Sequence, residues 1–334
     1  MTVVADAPVR VDFAGGWSDV PDFADRGGGR VVNAAIALRT RVECRLGGGR
    51  IRLIAEDLGQ RLSLHAPADL IYDGTLDLHK AALNMLPVGG GIEIITSSDV
   101  PPGSGLGASG SLDVSLLAAL ARCREQEACS AEDLAEMGYC LEAEELQLRG
   151  GRQDQFAAAL GGFNDLGFRE GRVQVSPLTV PDEAARDLRR HLVIAYTGQS
   201  HFSSATHARV WEAFHAGNAT VGTAIARMRD LAGECAAAIG AGDWRSLAAA
   251  VDANWACQQR LDPTIATEGT RLMETAARAA GAWGVKATGA GAGGCLLILG
   301  PPNATDAVAA AVTDAGARVL DWEFDPIGVT VREE

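Results

Sequence analysis

"DVPPGSGLGASGSLDVSLLAAL", residues 99–120, is the stretch on which the reading of this chain turns. Four glycines and three serines fall within Gly103–Ser111, and an apolar run follows without a break. Successive backbone N–H groups in a tight glycine turn converge on an anion, and the amino end of a following helix adds a positive field. Glycine is needed there because a Cβ blocks close approach or forbids a positive φ. Ser104 and Ser109 add hydroxyls, and a hydroxyl at a helix entrance can reach a magnesium ion held by phosphates. By itself the stretch leaves two readings standing. A Walker loop requires GxxxxGK[ST], and no lysine follows, so that reading is excluded. A GxGxxG dinucleotide fingerprint matches at Gly105, Gly107 and Gly110, with Glu125 as a ribose acid. The same pattern recurs at Gly289, Gly291 and Gly294, so one match says little. A plain turn at a helix N-cap is the other reading.

The surrounding composition narrows the classes. The chain has 334 residues, 47% hydrophobic and 22% charged, which reads as soluble and globular with one large domain or two ordinary ones. Net charge is −14, and no basic stripe is visible, so nucleic acid is not an expected partner. An anionic substrate would need a local basic pocket. The seven cysteines are odd in number and scattered, with no CxxC. That pattern suits a reducing, cytoplasmic setting and argues against zinc. Asp6, Arg10 and Asp12 interrupt any signal-peptide pattern, and no apolar run reaches ~18–20 residues, so no membrane span is expected.

Periodicity gives the order of elements. Residues 9–14 alternate like a strand and end at Gly15-Gly16; residues 31–46, 51–55, 61–64 and 91–100 read as further strands. Residues 108–121 suit a buried helix, and 130–148 a helix capped by Ser130 three residues before Asp133. A polar stretch at 180–190 precedes a strand at 191–198. Helical patterns fill 204–281. A glycine loop then leads into a strand within 285–300, followed by a helix at 306–316 and terminal strands at 318–324 and 327–332. Strands early, helices in the middle and strands again at the end imply an α+β chain of two lobes, divided near 180–190.

Three other stretches carry chemistry-bearing residues. "APVRVDFAGGWSDVP" (7–21) sets an arginine, two glycines and an aspartate after a strand. "LEAEELQLRGGRQDQF" (141–156) runs acidic residues into a polar loop holding Asp154. "KATGAGAGGC" (286–295) is a second glycine loop. Together with "PPGSGLGASGSL", these stretches resemble the three motifs of the GHMP kinases, the family of galactose, homoserine, mevalonate and phosphomevalonate kinases. The matches run from Ala7 to Cys295. "FAGGWSDVP", "GGRQDQF" and "YTGQS" are most similar to the branch that acts on the anomeric hydroxyl of sugars, which includes D-glycero-D-manno-heptose 7-phosphate kinases and fucokinases. The length is similar to that of the heptose-phosphate kinases. Trp17 stands where those tend to have a third glycine, and there the chain looks more like the fucokinases.

The resemblance implies a two-lobed GHMP kinase fold with the active site between the lobes. The ATP-binding lobe, ribosomal-protein-S5-like, would span residues 1–185, and a ferredoxin-like lobe residues 186–334. It implies ATP and Mg2+ as cofactors and a sugar or sugar phosphate as partner, in a monomer or homodimer. Pro102, Gly103, Ser104, Gly105, Leu106, Gly107, Ala108, Ser109 and Gly110 would cradle the ATP phosphates. Ser109 and Glu142 would hold magnesium; Glu142 lies twelve residues before Asp154, as in the family. Magnesium prefers few protein oxygens plus phosphate and water. The plainer reading of "EAEE" (142–145) is a solvated helix face, and that of Ser109 a helix N-cap.

Asp154 is the expected base, or the group that orients the sugar hydroxyl, and Arg10 the cation that holds it. Flanking Arg152 would lower the Asp154 pKa if close. Gly16, Trp17, Ser18, Asp19, Gly151, Arg152, Gln153, Thr197, Gly198, Gly289 and Gly291 would line the substrate site, with Gly293 and Gly294 closing the second loop. Arg26, Arg149 and Arg152 are candidate anchors for a substrate phosphate; His201 stands where related heptose kinases often have arginine. The expected reaction is ATP-dependent phosphorylation of D-glycero-D-manno-heptose 7-phosphate to the 1,7-bisphosphate. Fucose or another free sugar is the alternative substrate, and a non-catalytic sugar sensor with the kinase fold is the alternative class.

Overall fold

Strand β1 (Thr2–Ala14) runs antiparallel to the long β2 (Gly29–Leu46), with helix α1 (Pro21–Gly27) in the connection. The computed structural model describes residues 1–66, 69–125, 129–199 and 204–334. Strands β3 (Ile51–Ala55), β4 (Gln60–Leu64) and β5 (Ile92–Ser98) extend the sheet beyond β2. The hairpin β6 (Phe163–Arg169) and β7 (Arg172–Pro177) joins on β2, and the final strand β12 (Thr330–Glu333) pairs with β1. Helices α2 (Asp77–Met85), α3 (Ala108–Cys123), α4 (Ala131–Cys140) and α5 (Gln153–Leu160) complete this lobe.

The second lobe begins with α6 (Asp182–Arg190). Strands β8 (Leu192–Tyr196), β9 (Gly284–Ala287), β10 (Cys295–Leu299) and β11 (Arg318–Val319) form an antiparallel sheet in the order β11-β8-β10-β9. Helices α7 (Ser204–His215), α8 (Ala219–Ala241), α9 (Trp244–Gln258) and α10 (Glu268–Ala279) account for the helical middle, and α11 (Thr305–Asp314) for the helix expected at 306–316. No helix among the described residues is long and apolar enough to cross a membrane, and the seven cysteines are free thiols.

The odd-numbered residues of β1 change partner along its length. Side chains alternate along a strand, so Val3, Ala5 and Ala7 share a face, and they pack into the core built on α3 and α5. Val9, Val11 and Phe13 instead join the second core, with α8 and α9. The ladder slips between Pro8 and Val9, where Ala37 and Leu38 of β2 are extra to the pairing. Past that slip the apolar residues of β1 pack on the second lobe, while Arg10 reaches Asp154 and Asp12 reaches Lys286.

Several elements differ from the sequence reading. Helix α2, helix α5 and the β6–β7 hairpin were not expected. The polar loop around Asp154 is the first turn of α5, so Asp154 projects from a rigid helix. The polar stretch at 180–190 is α6, whose single buried residue is Leu188; with only Ala184, Ala185 and Leu188 apolar, it reads as a polar segment. Helix 130–148 is shorter, ending as α4 and then a π-helical turn at Leu141–Glu145. Of the expected strand 318–324, only Arg318 and Val319 are strand, while Phe324 bridges to Ile36 in the first lobe. A division at 185/186 falls inside α6, and β12 beyond it belongs to the first sheet.

Arg39 ties this returning tail down. Its guanidinium meets Asp325 at 2.7 Å, donates to the Gly328 carbonyl at 2.8 Å and also pairs with Asp6. Asp325 is buried and accepts the amides of Ile327 and Gly328. Removing one partner of such a pair leaves a buried charge uncompensated. Arg39→Met is expected to cost about 2–4 kcal/mol in urea unfolding and to speed amide exchange in 330–333. Unchanged stability would show that the tail is held by β12 pairing alone.

Candidate active site

The loop before α3 is left-handed at every second residue: φ is +69° at Gly103, +74° at Gly105 and +76° at Gly107. Gly107 is the N-cap of α3 and contributes no side chain, so Ser109 is not the cap; it is an exposed residue of the first helical turn. Alternation of this kind turns backbone N–H groups into a concave, anion-seeking surface, and α3 adds its positive end. Ser104 departs from the expectation. It is buried, its hydroxyl accepts the Leu106 amide at 3.4 Å, and its carbonyl accepts the Cys295 amide at 2.7 Å. Leu106 is fully buried, leaving only its backbone for any ligand.

Arg10 anchors the loop from below. Its backbone amide donates to the Leu106 carbonyl at 2.9 Å, and its Nη1 to the Gly105 carbonyl at 2.6 Å. The rest of the guanidinium grips Asp154, with Nε at 2.8 Å and Nη2 at 2.7 Å from Oδ1. Burial pulls the Arg10 pKa down, and the charges of Asp154 and Asp12 more than offset it, so the cation is fixed. Arg10 is 3% exposed and Asp154 26%, so the carboxylate is the member of the pair that reaches solvent. Asp154 also packs closely on the loop. A Cβ at Gly107 would lie 3.1 Å from its carboxyl carbon, and one at Gly110 would lie 2.7 Å from its Cβ.

The π-helical turn after α4 presents Glu142 to the amino end of α3. Glu142 lies beside Ser109 and accepts from Gln155 Nε2 at 3.1 Å. Burial raises its pKa; Ser109 works against that rise and the charge of Asp154 adds to it. Asp113 is fully enclosed beside it. Burial, and then the Glu142 charge, push the Asp113 carboxyl well above its ordinary value. Glu144 is exposed and Glu145 is bonded to the Tyr72 hydroxyl, so neither is at the loop.

Asp19 is the second carboxylate near Asp154. It is 3% exposed and accepts the Gln153 amide at 3.3 Å. Burial, reinforced by Asp154, pushes it up to about 7. Gly151 must lack a side chain, because its Cβ would lie 1.8 Å from Asp19 Oδ2. Gln153 is itself nearly buried. Gly16 lies against Asp12 and Gln153.

Other expected site residues turn away from Asp154. Ser18 is fully buried, donating to the Gly15 carbonyl at 2.6 Å and accepting the Arg30 amide at 3.1 Å, so its hydroxyl is spent on its own turn. The Trp17 indole is buried on His207, ring centroids 4.4 Å apart, and against Trp211. Arg152 stacks on Tyr139 and bonds to Glu136 and the Gly171 carbonyl, so it is not the cation at Asp154. Arg26 sits over Phe214, within reach of His215. Arg149 is exposed and makes no ion pair among the described residues. His201 lies outside the described residues.

The second glycine loop packs on the first. A Cβ at Gly105 would lie 2.5 Å from the Thr288 carbonyl, and one at Gly294 would lie 2.6 Å from the Ser104 carbonyl. Thr197 joins through its amide on the Gly294 carbonyl at 2.9 Å; Gly198 follows it in the turn, and Gly291 packs on Ile265. Sequence reasoning missed four residues here. Lys286 and Asp12 form a buried pair at 2.5 Å. On α9, Asn254 accepts the Gly15 amide at 3.1 Å, and Gln258, one turn on, donates to the Gly289 carbonyl at 2.8 Å. Lys286 and Asp12 stood inside quoted motifs and could have been flagged as charges in apolar strands. Asn254 and Gln258 sit at helical spacing in an ordinary-looking helix.

With this geometry in place, comparison with known proteins is informative. Residues 70–162 match the family model "GHMP kinases N terminal domain" and residues 235–318 "GHMP kinases C terminal". The chain is 28% identical to the D-glycero-alpha-D-manno-heptose 7-phosphate kinase of Campylobacter jejuni, covering 98% of each chain. It is also 28% identical to the bifunctional fucokinase/GDP-fucose pyrophosphorylase of Arabidopsis thaliana, over 88% of this chain and 29% of that one. Its fold superposes on the crystal structure of a D-glycero-D-manno-heptose 1-phosphate kinase from Bacteroides thetaiotaomicron with a TM-score of 0.82, at 25% identity over 99% of both chains.

Asp19 generates a prediction about pH. Its native pKa stands above the unfolded value, so it opposes folding increasingly as pH rises from about 4 to about 7. Asp19→Asn removes that cost. Its gain in Tm over the parent is expected to be larger at about pH 8 than at about pH 5. Equal gains at both pH values in thermal melts would show that Asp19 is not held as described.

Proposed function

Because the chain belongs to the GHMP kinase family, whose members are ATP-dependent phosphotransferases, we propose that it is a sugar kinase that phosphorylates the anomeric hydroxyl of D-glycero-D-manno-heptose 7-phosphate, giving the 1,7-bisphosphate. The observation that carries the reading is the Arg10–Asp154 pair set against the glycine loop, with only the carboxylate reaching solvent. The choice of sugar is supported by the heptose-phosphate kinases to which the chain is similar over nearly its whole length.

Phosphoryl transfer depends mainly on positioning and on charge stabilisation. The amides of residues 103–110, with the amino end of α3, hold the triphosphate. Ser109 and Glu142 suit magnesium: both offer hard oxygen side by side, and they would hold the ion together with phosphate and water. When bound, magnesium offsets the charge on the phosphate oxygens. Asp154 accepts the proton of the sugar hydroxyl. Arg10 holds that carboxylate in one orientation. Asp19 takes sugar hydroxyls, as a buried carboxyl with open acceptor sites can.

An unphosphorylated sugar such as fucose is the second reading. It is favoured by Arg26 and Arg152, which are engaged with protein groups and leave Arg149 as the remaining candidate anchor for a substrate phosphate.

A coupled ADP-release assay over a sugar panel, with 31P NMR of the product, tests the assignment. Turnover should require ATP, magnesium and the heptose 7-phosphate, and the new phosphate should appear on the anomeric carbon. Turnover of free fucose instead selects the second reading, and no sugar-dependent ADP from the intact protein selects the sensor. Asp154→Asn is expected to lower kcat by about 10²–10⁴-fold with little change in KM for ATP. Full activity in that variant would remove Asp154 from the chemistry.

A further inference from the structure

Lys286 and Asp12 form the most enclosed ion pair among the described residues, with side chains 0% and 1% exposed. Nothing in the phosphoryl transfer outlined above uses either group. Lys286 lies on β9 of the second lobe and Asp12 on β1 of the first. The ammonium donates to Asp12 Oδ2 at 2.5 Å and to the Asp12 carbonyl at 3.1 Å. Burial pulls the Lys286 pKa down, and Asp12 works against that pull. Such a pair is a poor way to seal two lobes. Desolvating both charges costs several kcal/mol per ion, and an apolar pair of similar volume is often as stable or more so.

What an apolar pair could not supply is the second carboxylate oxygen. Asp12 Oδ1 accepts the Gly289 amide at 3.3 Å, at the start of the second glycine loop. Gly289 in turn abuts the first loop: a Cβ there would lie 2.9 Å from the Gly105 carbonyl. That same carbonyl is held by Arg10 Nη1, two residues before Asp12 on β1. Arg10 therefore sets the first loop and Asp12 the second, from neighbouring positions on one face of one strand.

We infer that Asp12 and Lys286 are positioning residues, which fix the second glycine loop against the first and so hold the second lobe's half of the phosphate site in register with Asp154. Lys286 orients Asp12, and Asp12 carries that orientation to the Gly289 amide. The catalytic consequence rests on the kinase reading; the structural consequence does not.

The test is the double variant Asp12→Asn with Lys286→Met, read three ways. Removing both charges together should leave Tm close to that of the parent, whereas Lys286→Met alone should lower it sharply. In the double variant, amide exchange across residues 289–294 should nonetheless rise by about tenfold or more. Sugar-dependent kcat should fall by about tenfold or more, with KM for ATP changed less than about threefold. A folded double variant with parental exchange at 289–294 and parental kcat overturns the inference. If the parent shows no sugar-dependent turnover, the kinase reading has failed, and the exchange measurement still decides on the pair. Should the double variant not fold, Asp12→Ala with Lys286→Gln is measured instead. It removes the acceptor of the Gly289 amide without leaving a buried charge, and unchanged exchange at 289–294 overturns the inference equally.

Discussion

A buried guanidinium holds the candidate site together. Arg10 bonds at once to the first glycine loop and to the first turn of α5, so one cation joins a strand, a loop and a helix. Its burial would be prohibitive without a carboxylate partner. That partner is the side chain best placed to meet a substrate hydroxyl. Charge compensation in the interior and presentation of a carboxylate at the surface are therefore one contact seen from two sides. The apolar residues of β1 pass from the first core to the second at Val9, just where Arg10 and Asp12 begin.

The second constraint is close approach of backbones. The two glycine loops meet with so little space that a methyl group at Gly105, Gly289 or Gly294 would collide with main-chain atoms of the other loop. Residues 286–295 thus act structurally as a lid on the loop at 103–110. Helix α9 reinforces the arrangement from behind, with Asn254 on the first motif and Gln258 on the third. The acidic groups around Asp154 divide by environment: Glu142 sits beside Ser109 at the loop, burial raises Asp113 well above its ordinary value behind it, and burial pushes Asp19 up to about 7.

Much of this was legible in the chain. The loop at 103–110, the helix after it, the capped helix beginning at Ser130, and the strands at 31–46 and 51–55 arise from local pattern and turn chemistry. Exposed or very short elements were not legible. Helix α6 buries one leucine, and α5 reads as polar because its first turn carries the site. The placement of Arg152 was misjudged for a related reason. Nearness to Asp154 in sequence suggested a partner, whereas the helix start sends the two side chains different ways, and the cation beside Asp154 comes from 144 residues away.

The sequence by itself determined the mixed α+β class and the short list of chemical groups, because glycine spacing, capping residues and apolar period act over a few residues at a time; the family followed from the likeness of its motifs to those of known kinases. Tertiary structure alone decided which cation meets which carboxylate, that Ser18 and Ser104 are consumed inside their own turns, and that Asp12 and Lys286 bridge the lobes. Those outcomes depend on contacts between residues far apart in the chain and on burial, which sets the cost of every charge. No local pattern encodes either.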